Sequence, residues 1–212
     1  MFKLIKSINT KMSNTYNRKD KFYFDAKKSG LRSRAYFKLQ ELDEKYKLIK
    51  RNNRVFDLGA WPGGWLQYVS KKVGPKGLGI GIDLQKIDEL NDNIKLILGD
   101  VRDDELIELA IQFADGKFDC VISDMSPSLT GIKVADMAGS VGLAELAVET
   151  CHDVLKIGGD FTCKVFKSAE ADIFFKSINK VFEKVIRAEL KSTRKTSREF
   201  YIVGKGYQGR ND

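Results

Sequence analysis

The sequence predicts an α/β fold in which a seven-stranded, mostly parallel sheet carries helices on both faces. Three observations predict it. Short apolar runs of strand length alternate along the chain with segments of helical periodicity. A glycine-rich turn follows the first apolar run, where a buried strand must turn into a helix. The chain has 212 residues, of which 42% are hydrophobic, and this is enough for one domain with a sizeable core.

The predicted elements follow one another without a Pro-rich linker. Ser33 can cap a first helix over 33–48, in which Ala35, Leu39 and Leu42 recur at helical spacing. The predicted strands are 54–58, 77–83, 94–98, 118–124, 160–166, 181–190 and 199–203. The helices between them are 65–72, 104–113, 141–155 and 170–180. Strand–helix alternation of this kind is typical of a doubly wound parallel sheet, which binds ligands beyond the carboxyl ends of its strands.

Positive charge is concentrated at the start of the chain. Residues 1–54 contain 16 Lys and Arg against 5 Asp and Glu, whereas 55–212 contain 21 against 24. We expect a basic, poorly ordered or lightly docked arm over 1–30, one domain over 31–206 and a tail over 207–212. The asymmetry favours a polyanionic partner, most often nucleic acid, although a solvated arm would show the same composition.

Several classes of protein are disfavoured by composition. No apolar run approaches the roughly 20 residues that span a bilayer, so no membrane partner is expected. Cys120, Cys151 and Cys163 form no CxxC pair, which argues against a disulfide framework or a zinc site and favours a reducing, cytoplasmic location. The single histidine, His152, cannot build a histidine metal site. It is expected to be a partly buried helix residue, and no metal is expected.

The glycine-rich turn is Asp57-Leu58-Gly59-Ala60-Trp61-Pro62-Gly63-Gly64-Trp65. Glycines at such a turn allow positive φ and close approach of a ligand, and the following helix offers free N–H groups. The GxGxxG spacing of a dinucleotide site is absent, and Pro62 removes one donor. An NAD-dependent oxidoreductase is therefore disfavoured, and a cofactor without phosphates fits better.

Two acidic residues extend this site. Asp83 ends the second strand, where a carboxylate can accept both ribose hydroxyls of an adenosine. Asp100 ends the third strand, where its carboxylate can accept from an adenine amino group. Together with the loop, the two acids predict a site for a nucleoside cofactor.

Four motifs, of which the glycine-rich loop is one, carry a resemblance. They are Ser33-Arg34-Ala35-Tyr36-Phe37-Lys38-Leu39, the loop from Asp57 to Trp65, Ser123-Asp124-Met125-Ser126-Pro127 and Lys164-Val165-Phe166. Together they resemble the FtsJ family of ribose methyltransferases, from about residue 20 to residue 204. One departure is Trp61, where a small residue is common in the family.

The resemblance implies a Rossmann-like class I methyltransferase fold that uses S-adenosyl-L-methionine to methylate a ribose 2′-hydroxyl of RNA. The family's catalytic tetrad maps onto Lys38, Asp124, Lys164 and Glu199. The expected cofactor-binding residues are Gly59, Pro62, Gly63, Gly64, Trp65, Asp83, Asp100 and Asp124.

The tetrad's residue types suit this reaction, because the enzyme must align oxygen, methyl and sulfur and handle one proton. Lys164 is the candidate proton acceptor; alternatively, it steers the hydroxyl while water takes the proton. Lys38 would supply a second positive charge near Lys164. Asp124 would orient Lys164, and Glu199 would hold Lys38 or the ribose.

RNA phosphates require basic partners. The candidates are Lys27, Lys28, Arg32, Arg34, Arg194 and Arg198, with Tyr23, Phe24 and Tyr36 available to stack on bases. The form of the loop resembles family members that methylate a uridine in the A-loop of large-subunit (23S-type) ribosomal RNA, within the large ribosomal subunit. A monomer is expected. A tRNA anticodon-loop methyltransferase and a non-catalytic ribosome-assembly factor are the alternatives.

Overall fold

The computed structural model describes residues 20–194 and 196–210. Within them, α-helices lie at Lys21–Lys28 (α1), Tyr36–Tyr46 (α2), Gly64–Val73 (α3), Asp104–Ala114 (α4), Lys133–Val154 (α5) and Ala169–Ser177 (α6). Strands lie at Arg54–Leu58 (β1), Leu78–Asp83 (β2), Ile94–Leu98 (β3), Phe118–Ser123 (β4), Leu155–Phe166 (β5), Phe182–Ala188 (β6) and Glu199–Tyr207 (β7).

The described strands form one seven-stranded sheet in the order β3-β2-β1-β4-β5-β7-β6. All neighbours are parallel except β7, which is antiparallel to both β5 and β6. One buried cluster packs α4, α5 and α6 on one face of the sheet, and a second packs α2 and α3 on the other. The predicted fold is therefore confirmed. Among the described residues, no helix is both long and apolar enough to cross a membrane.

Several element boundaries differ from the prediction. The long helix begins at Lys133, eight residues before the predicted start, because the Asp136 carboxylate accepts from both the N–H and the hydroxyl of Thr130 and secures this end. Strand β5 begins at Leu155 and carries Gly158 in an irregular stretch of its pairing with β4, instead of beginning after the glycines. Strand β7 runs to Tyr207 and crosses the predicted domain edge at 206.

The end of the predicted arm is folded onto the domain. Residues 20–30 belong to the predicted arm, and they contain α1, capped by the Asp20 carboxylate that accepts from the N–H of Tyr23. The same carboxylate is ion-paired with Arg34 and Arg194. The remainder of the predicted arm, residues 1–19, and the end of the tail, 211–212, lie outside the described residues.

A buried carboxylate fixes α2 against α3. Asp43 is fully buried, and it accepts from the N–H of Ile49, the hydroxyl of Tyr68 and the ammonium of Lys72, each at 2.8 Å. A buried charge is stable only where such partners satisfy it. Since α2 also carries Lys38, this contact helps to position a candidate catalytic residue.

We expect Asp43→Ala to lower the free energy of unfolding by about 2–4 kcal/mol, because the Tyr68 hydroxyl and the Ile49 amide lose their acceptor. Urea unfolding measures the change. The matched control is Glu44→Ala, since Glu44 is the exposed neighbour of Asp43. Equal unfolding midpoints for the two variants would contradict this role for Asp43.

Candidate active site

Acidic side chains meet at the carboxyl ends of neighbouring parallel strands. Asp57 lies in β1, Asp83 ends β2, and Asp100 and Asp124 follow β3 and β4. Beside them is a cavity of about 670 Å³. Its lining includes Gly59, Trp61, Asp83, Asp100, Asp124, Met125, Ser126, Gly142, Leu143 and Leu146. The cavity is at the point where strand order reverses between β1 and β4, the usual ligand position in such sheets.

The N–H groups of the glycine-rich loop already donate to acceptors of the protein, most of them at the end of β2. Those of Gly59 and Ala60 donate to the carbonyl of Ile82 at 2.9 and 3.1 Å. The N–H of Trp61 donates to Asp83 Oδ2 at 2.9 Å, and that of Gln85 to Oδ1 at 2.8 Å. Each Asp83 oxygen retains a lone pair, so the carboxylate can still accept two ligand hydroxyls. The loop is thus built to hold Asp83, and it leaves few donors for an anion.

Gly63 and Gly64 are also required by the packing of the chain segment before α2. A Cβ on Gly63, at φ +98°, would lie 2.9 Å from the Arg32 guanidinium, and one on Gly64 would overlap the Ser33 hydroxyl. These glycines therefore leave room for the chain segment before α2. The Arg32 guanidinium donates to the carbonyls of Pro62, Asp88 and Glu89.

Trp65 is likewise a packing residue. It is 3% exposed, its indole N–H donates to the carbonyl of Ala35 at 2.8 Å, and its ring centroid lies 6.0 Å from that of Tyr201. Pro62, Gly63, Gly64 and Trp65 are absent from the cavity lining, and their expected contact with a cofactor stays a prediction. The structure places them where they hold the N-terminal segment against α3.

Asp57 lies beneath this loop in an unfavourable environment. It is 1% exposed, and within the described part of the chain its Oδ2 has no hydrogen-bond partner. Burial, followed by the charges of Asp124 and Asp83, raises the pKa of Asp57 well above its ordinary value. A cation bound in the cavity would relieve this accumulation of negative charge.

Asp100 is held by a neighbour. Its carboxylate accepts from the side chain of Arg102 at 3.0 and 2.5 Å and from the Arg102 N–H at 3.0 Å. The side-chain hydrogen bonds from Arg102, followed by the backbone one, lower the pKa of Asp100 to about 2. Asp100 is therefore an ionised acceptor on the cavity wall.

The structure brings the four predicted catalytic residues into two adjoining ion pairs. Lys164 Nζ lies 3.2 Å from Asp124 Oδ1 and donates to the Asp124 carbonyl at 2.7 Å. Lys38 Nζ lies 2.5 Å from Glu199 Oε1. The four side chains are between 7% and 19% exposed, so a substrate must enter a recess to reach them.

Tyr201 joins the two pairs, and the sequence analysis did not identify it. Its hydroxyl donates to Asp124 Oδ1 at 2.7 Å, and Lys38 Nζ lies 5.7 Å from the centre of its ring. In the β5–β7 ladder, Lys164 is opposite Tyr201 and Phe166 is opposite Glu199, so these side chains share one face. The two-residue spacing of Glu199 and Tyr201 was the signal that could have revealed it.

The charge states of the pair follow from their surroundings. Burial alone would raise the pKa of Asp124, but the positive charges of Lys164 and Lys38 and the Tyr201 hydrogen bond lower it overall. Burial, then Asp124 and Glu199, raise the pKa of Tyr201 well above its ordinary value. Tyr201 is therefore a neutral donor to an ionised Asp124.

A second cleft, of about 560 Å³, adjoins the tetrad. Lys38 and Glu199 line it, and it shares Ser126 with the first cavity. Its lining also includes the basic residues Arg34, Lys133, Arg194 and Arg198 and the apolar residues Leu129, Met137 and Phe166. The tetrad thus lies where an acidic cavity meets a basic cleft.

The predicted RNA-binding residues divide into three groups. Arg34, Arg194 and Arg198 line the second cleft, although Asp20 is bound to the first two. Lys27 and Lys28 are exposed at the end of α1. Arg32 bonds to backbone carbonyls beside the glycine-rich loop, as described above, and so stabilises the fold in place of facing a ligand.

Among the described residues, no group of three or more His, Cys, Asp or Glu side chains is placed to hold a metal. The three cysteines are buried free thiols. His152 is partly buried on α5, where its Nδ1 lies 2.8 Å from the Tyr207 hydroxyl.

A protein-family model described as FtsJ-like methyltransferase matches residues 31–207. The chain is 40% identical over 191 residues to ribosomal RNA large subunit methyltransferase E of Syntrophobacter fumaroxidans, covering 90% of this chain and 96% of that protein. It is 42% identical over 194 residues to the protein of the same name from Methanothermobacter thermautotrophicus, covering 91% and 92%. A crystal structure described as a ribosomal RNA methyltransferase from Plasmodium falciparum superposes with a TM-score of 0.75 at 28% identity, covering 84% of this chain and all of that one.

We expect Asp57→Asn to stabilise the ligand-free protein at pH 7.5 by about 1–2 kcal/mol. The folded-state pKa of Asp57 is raised, so the folded state binds this proton more tightly than the unfolded state. Stability is then lost as pH rises above the unfolded value, and asparagine removes that loss.

Urea unfolding at pH 7.5 and pH 4 measures the difference, which should shrink at the lower pH. The control is Asp92→Asn at an exposed site. If Asp57→Asn were less stable than wild type at pH 7.5, the folded protein would have to stabilise the charged Asp57 carboxylate.

Proposed function

The chain belongs to the FtsJ-like methyltransferase family, and we propose that it transfers a methyl group from S-adenosyl-L-methionine to a ribose 2′-hydroxyl of large-subunit ribosomal RNA. One observation carries the proposal. The Lys38–Glu199 and Lys164–Asp124 pairs lie between a cavity lined by carboxylates and a cleft lined by cations. A cationic cofactor suits the first and a polyanionic substrate suits the second.

The cavity suits this cofactor by its hydrogen-bond acceptors and its charge. Asp83 can accept the two ribose hydroxyls, and Asp100 can accept from the adenine amino group. The buried Asp57, with Asp124, favours the positive charges that the cofactor carries at its ammonium and its sulfonium. A pyrophosphate would meet these carboxylates and a loop whose N–H groups already have acceptors, which argues against NAD.

The tetrad then has two tasks, which are to position the 2′-oxygen and to stabilise the negative charge that develops on it. Bound S-adenosyl-L-methionine supplies an electrophilic methyl group. Lys164 and Lys38, both as ammonium groups, would hold the incoming 2′-oxygen and stabilise the negative charge that develops on it as its proton passes to water. Asp124 holds the Lys164 ammonium in place and Glu199 holds that of Lys38, while the Tyr201 hydroxyl orients Asp124. Positioning of this kind turns an encounter of two reactants into a single oriented step.

The substrate follows from the reaction and from the relatives. DNA has no 2′-hydroxyl, so the reaction requires RNA. The relatives are named as methyltransferases of large-subunit ribosomal RNA, which favours that RNA over tRNA. We propose a uridine of the A-loop as the target, in the cytoplasm. The assembled tetrad argues against a non-catalytic assembly factor, because such a factor would not need two buried ion pairs beside a cofactor cavity.

Lys164→Ala should lower methyl transfer at least about 100-fold, because the 2′-oxygen loses the ammonium that stabilises it. Transfer of labelled methyl groups is measured on large ribosomal subunits, free ribosomal RNA and tRNA, and the methylated ribose is then mapped. Cofactor affinity should remain within a few-fold of wild type. The control is Lys184→Ala, on the exposed side of β6.

Near wild-type turnover in the Lys164 variant would remove Lys164 from the mechanism. Failure of the wild-type protein to methylate any of the three RNAs would overturn the proposed activity, and methylation of tRNA alone would overturn the ribosomal assignment.

Asp83→Ala should weaken S-adenosyl-L-methionine binding by at least about tenfold, because two charge-assisted hydrogen bonds to the ribose are lost. Calorimetry measures this affinity for wild type, for the variant and for the exposed-site control Asp92→Ala. NAD should not bind wild type. Undiminished affinity in the Asp83 variant, with an unchanged unfolding midpoint, would place the ribose elsewhere.

A further inference from the structure

We propose that Leu129, Met137 and Phe166 form a slot for the base of the target nucleotide, and that the protein methylates only a nucleotide whose base has left its stack. The inference rests on the proposed function and deepens it, since it concerns how the substrate occupies the cleft beside the tetrad. The three residues come from the loop before α5, from α5 itself and from the end of β5.

The position of the reacting hydroxyl leaves one space for the base. The ribose must lie beside Lys38 and Lys164, where the cleft and the cofactor cavity share Ser126. The cofactor fills the cavity on one side. The base, which is attached to the carbon next to the one that bears the 2′-hydroxyl, must then extend into the cleft of about 560 Å³ on the other side.

Phe166 is fixed next to the reacting groups. It lies two residues after Lys164 on β5 and directly opposite Glu199 on β7, so its side chain shares their face of the sheet. Its N–H donates to the hydroxyl of Ser140 at 2.9 Å, which ties the strand end to α5. An aromatic ring in this position offers a stacking surface for a base without specifying which base.

Leu129 extends the apolar surface to the rim of the cleft. It is 68% exposed, and Ile132 and Val134 in the same segment are 65% and 77% exposed. Contiguous exposed apolar side chains beside a polar site mark a contact surface. The segment is held in place, because Asp136 accepts from the N–H and hydroxyl of Thr130 at 2.7 and 2.8 Å. The apolar rim is thus formed before substrate binds.

Burial of the tetrad implies an unstacked nucleotide. Lys164 is 7% exposed and Lys38 12%, so the hydroxyl must pass into the cleft to reach them. A nucleotide that stays stacked in a helix keeps its ribose at the helix surface and cannot do this. The basic residues Lys133 and Arg198 line the same cleft, where they can hold the phosphates on either side of an extruded nucleotide.

The test combines a change in the protein with a change in the RNA. The first change is Leu129→Ala together with Met137→Ala, at positions on the cleft wall outside the sheet. The second is an abasic ribonucleotide at the mapped target position, introduced by ligation into the RNA that wild type methylates. The abasic unit keeps the 2′-hydroxyl and removes only the base. The control protein is Ile157→Ala, which is 73% exposed on β5 outside the cleft lining.

We expect the double alanine variant to lower kcat/KM on intact RNA about tenfold, because the base loses its apolar contacts. On abasic RNA the variant and wild type should differ by less than about threefold in kcat/KM, because this RNA has no base for the Leu129 and Met137 side chains to contact. Ile157→Ala should match wild type on both RNAs.

The slot would be overturned if the double variant lowered kcat/KM as much on abasic RNA as on intact RNA, or if it were as active as wild type on intact RNA. Either outcome would leave the methyltransferase assignment standing. Absence of methylation by wild type on unmodified RNA would overturn the methyltransferase assignment itself, and the slot with it.

Discussion

The ion pair between Lys164 and Asp124 is the interaction on which the site depends. It joins β5 to the end of β4, and the Tyr201 hydroxyl adds β7, so three adjacent strands meet at one carboxylate. A buried pair is stable only when hydrogen bonds satisfy both partners, and here the Asp124 carbonyl also accepts from Lys164. Burial opposes the ionisation of Asp124, and the positive charges of Lys164 and Lys38 lower its pKa overall.

The glycine-rich loop acts through the N-terminal segment as much as through a ligand. Gly63 and Gly64 leave room for Arg32 and Ser33, and Trp65 holds the carbonyl of Ala35 at the start of α2. Lys38 is one turn further along that helix, and Asp43 fixes the helix end. The loop therefore positions Lys38, a proposed catalytic residue that lies before it in the chain. This physical link explains why a helix outside the sheet can contribute to a site at the sheet edge.

The sequence predicted the order of strands and helices because their apolar periodicities are local properties of the chain. The resemblance also pointed to Lys38, Asp124, Lys164 and Glu199, and the structure brings these four side chains together in two ion pairs. Local reasoning failed where the partner is distant. Nothing near Gly63 indicates that Arg32 would occupy the space of its missing side chain, and nothing near Tyr201 indicates that Asp124 would accept from it. The early start of α5 depends on the Thr130–Asp136 bonds, which precede its regular periodicity.

In the proposed reaction, the division of charge across the site would have a catalytic consequence. Carboxylates alone beside a sulfonium would stabilise the reactant more than the transition state, in which the positive charge is already dispersing. The two lysines oppose this effect in two ways. They partly neutralise Asp124, and they face the oxygen on which negative charge develops. Placing the tetrad at the boundary between an acidic cavity and a basic cleft thus binds each reactant by its charge, while the field at the reacting atoms favours the transfer.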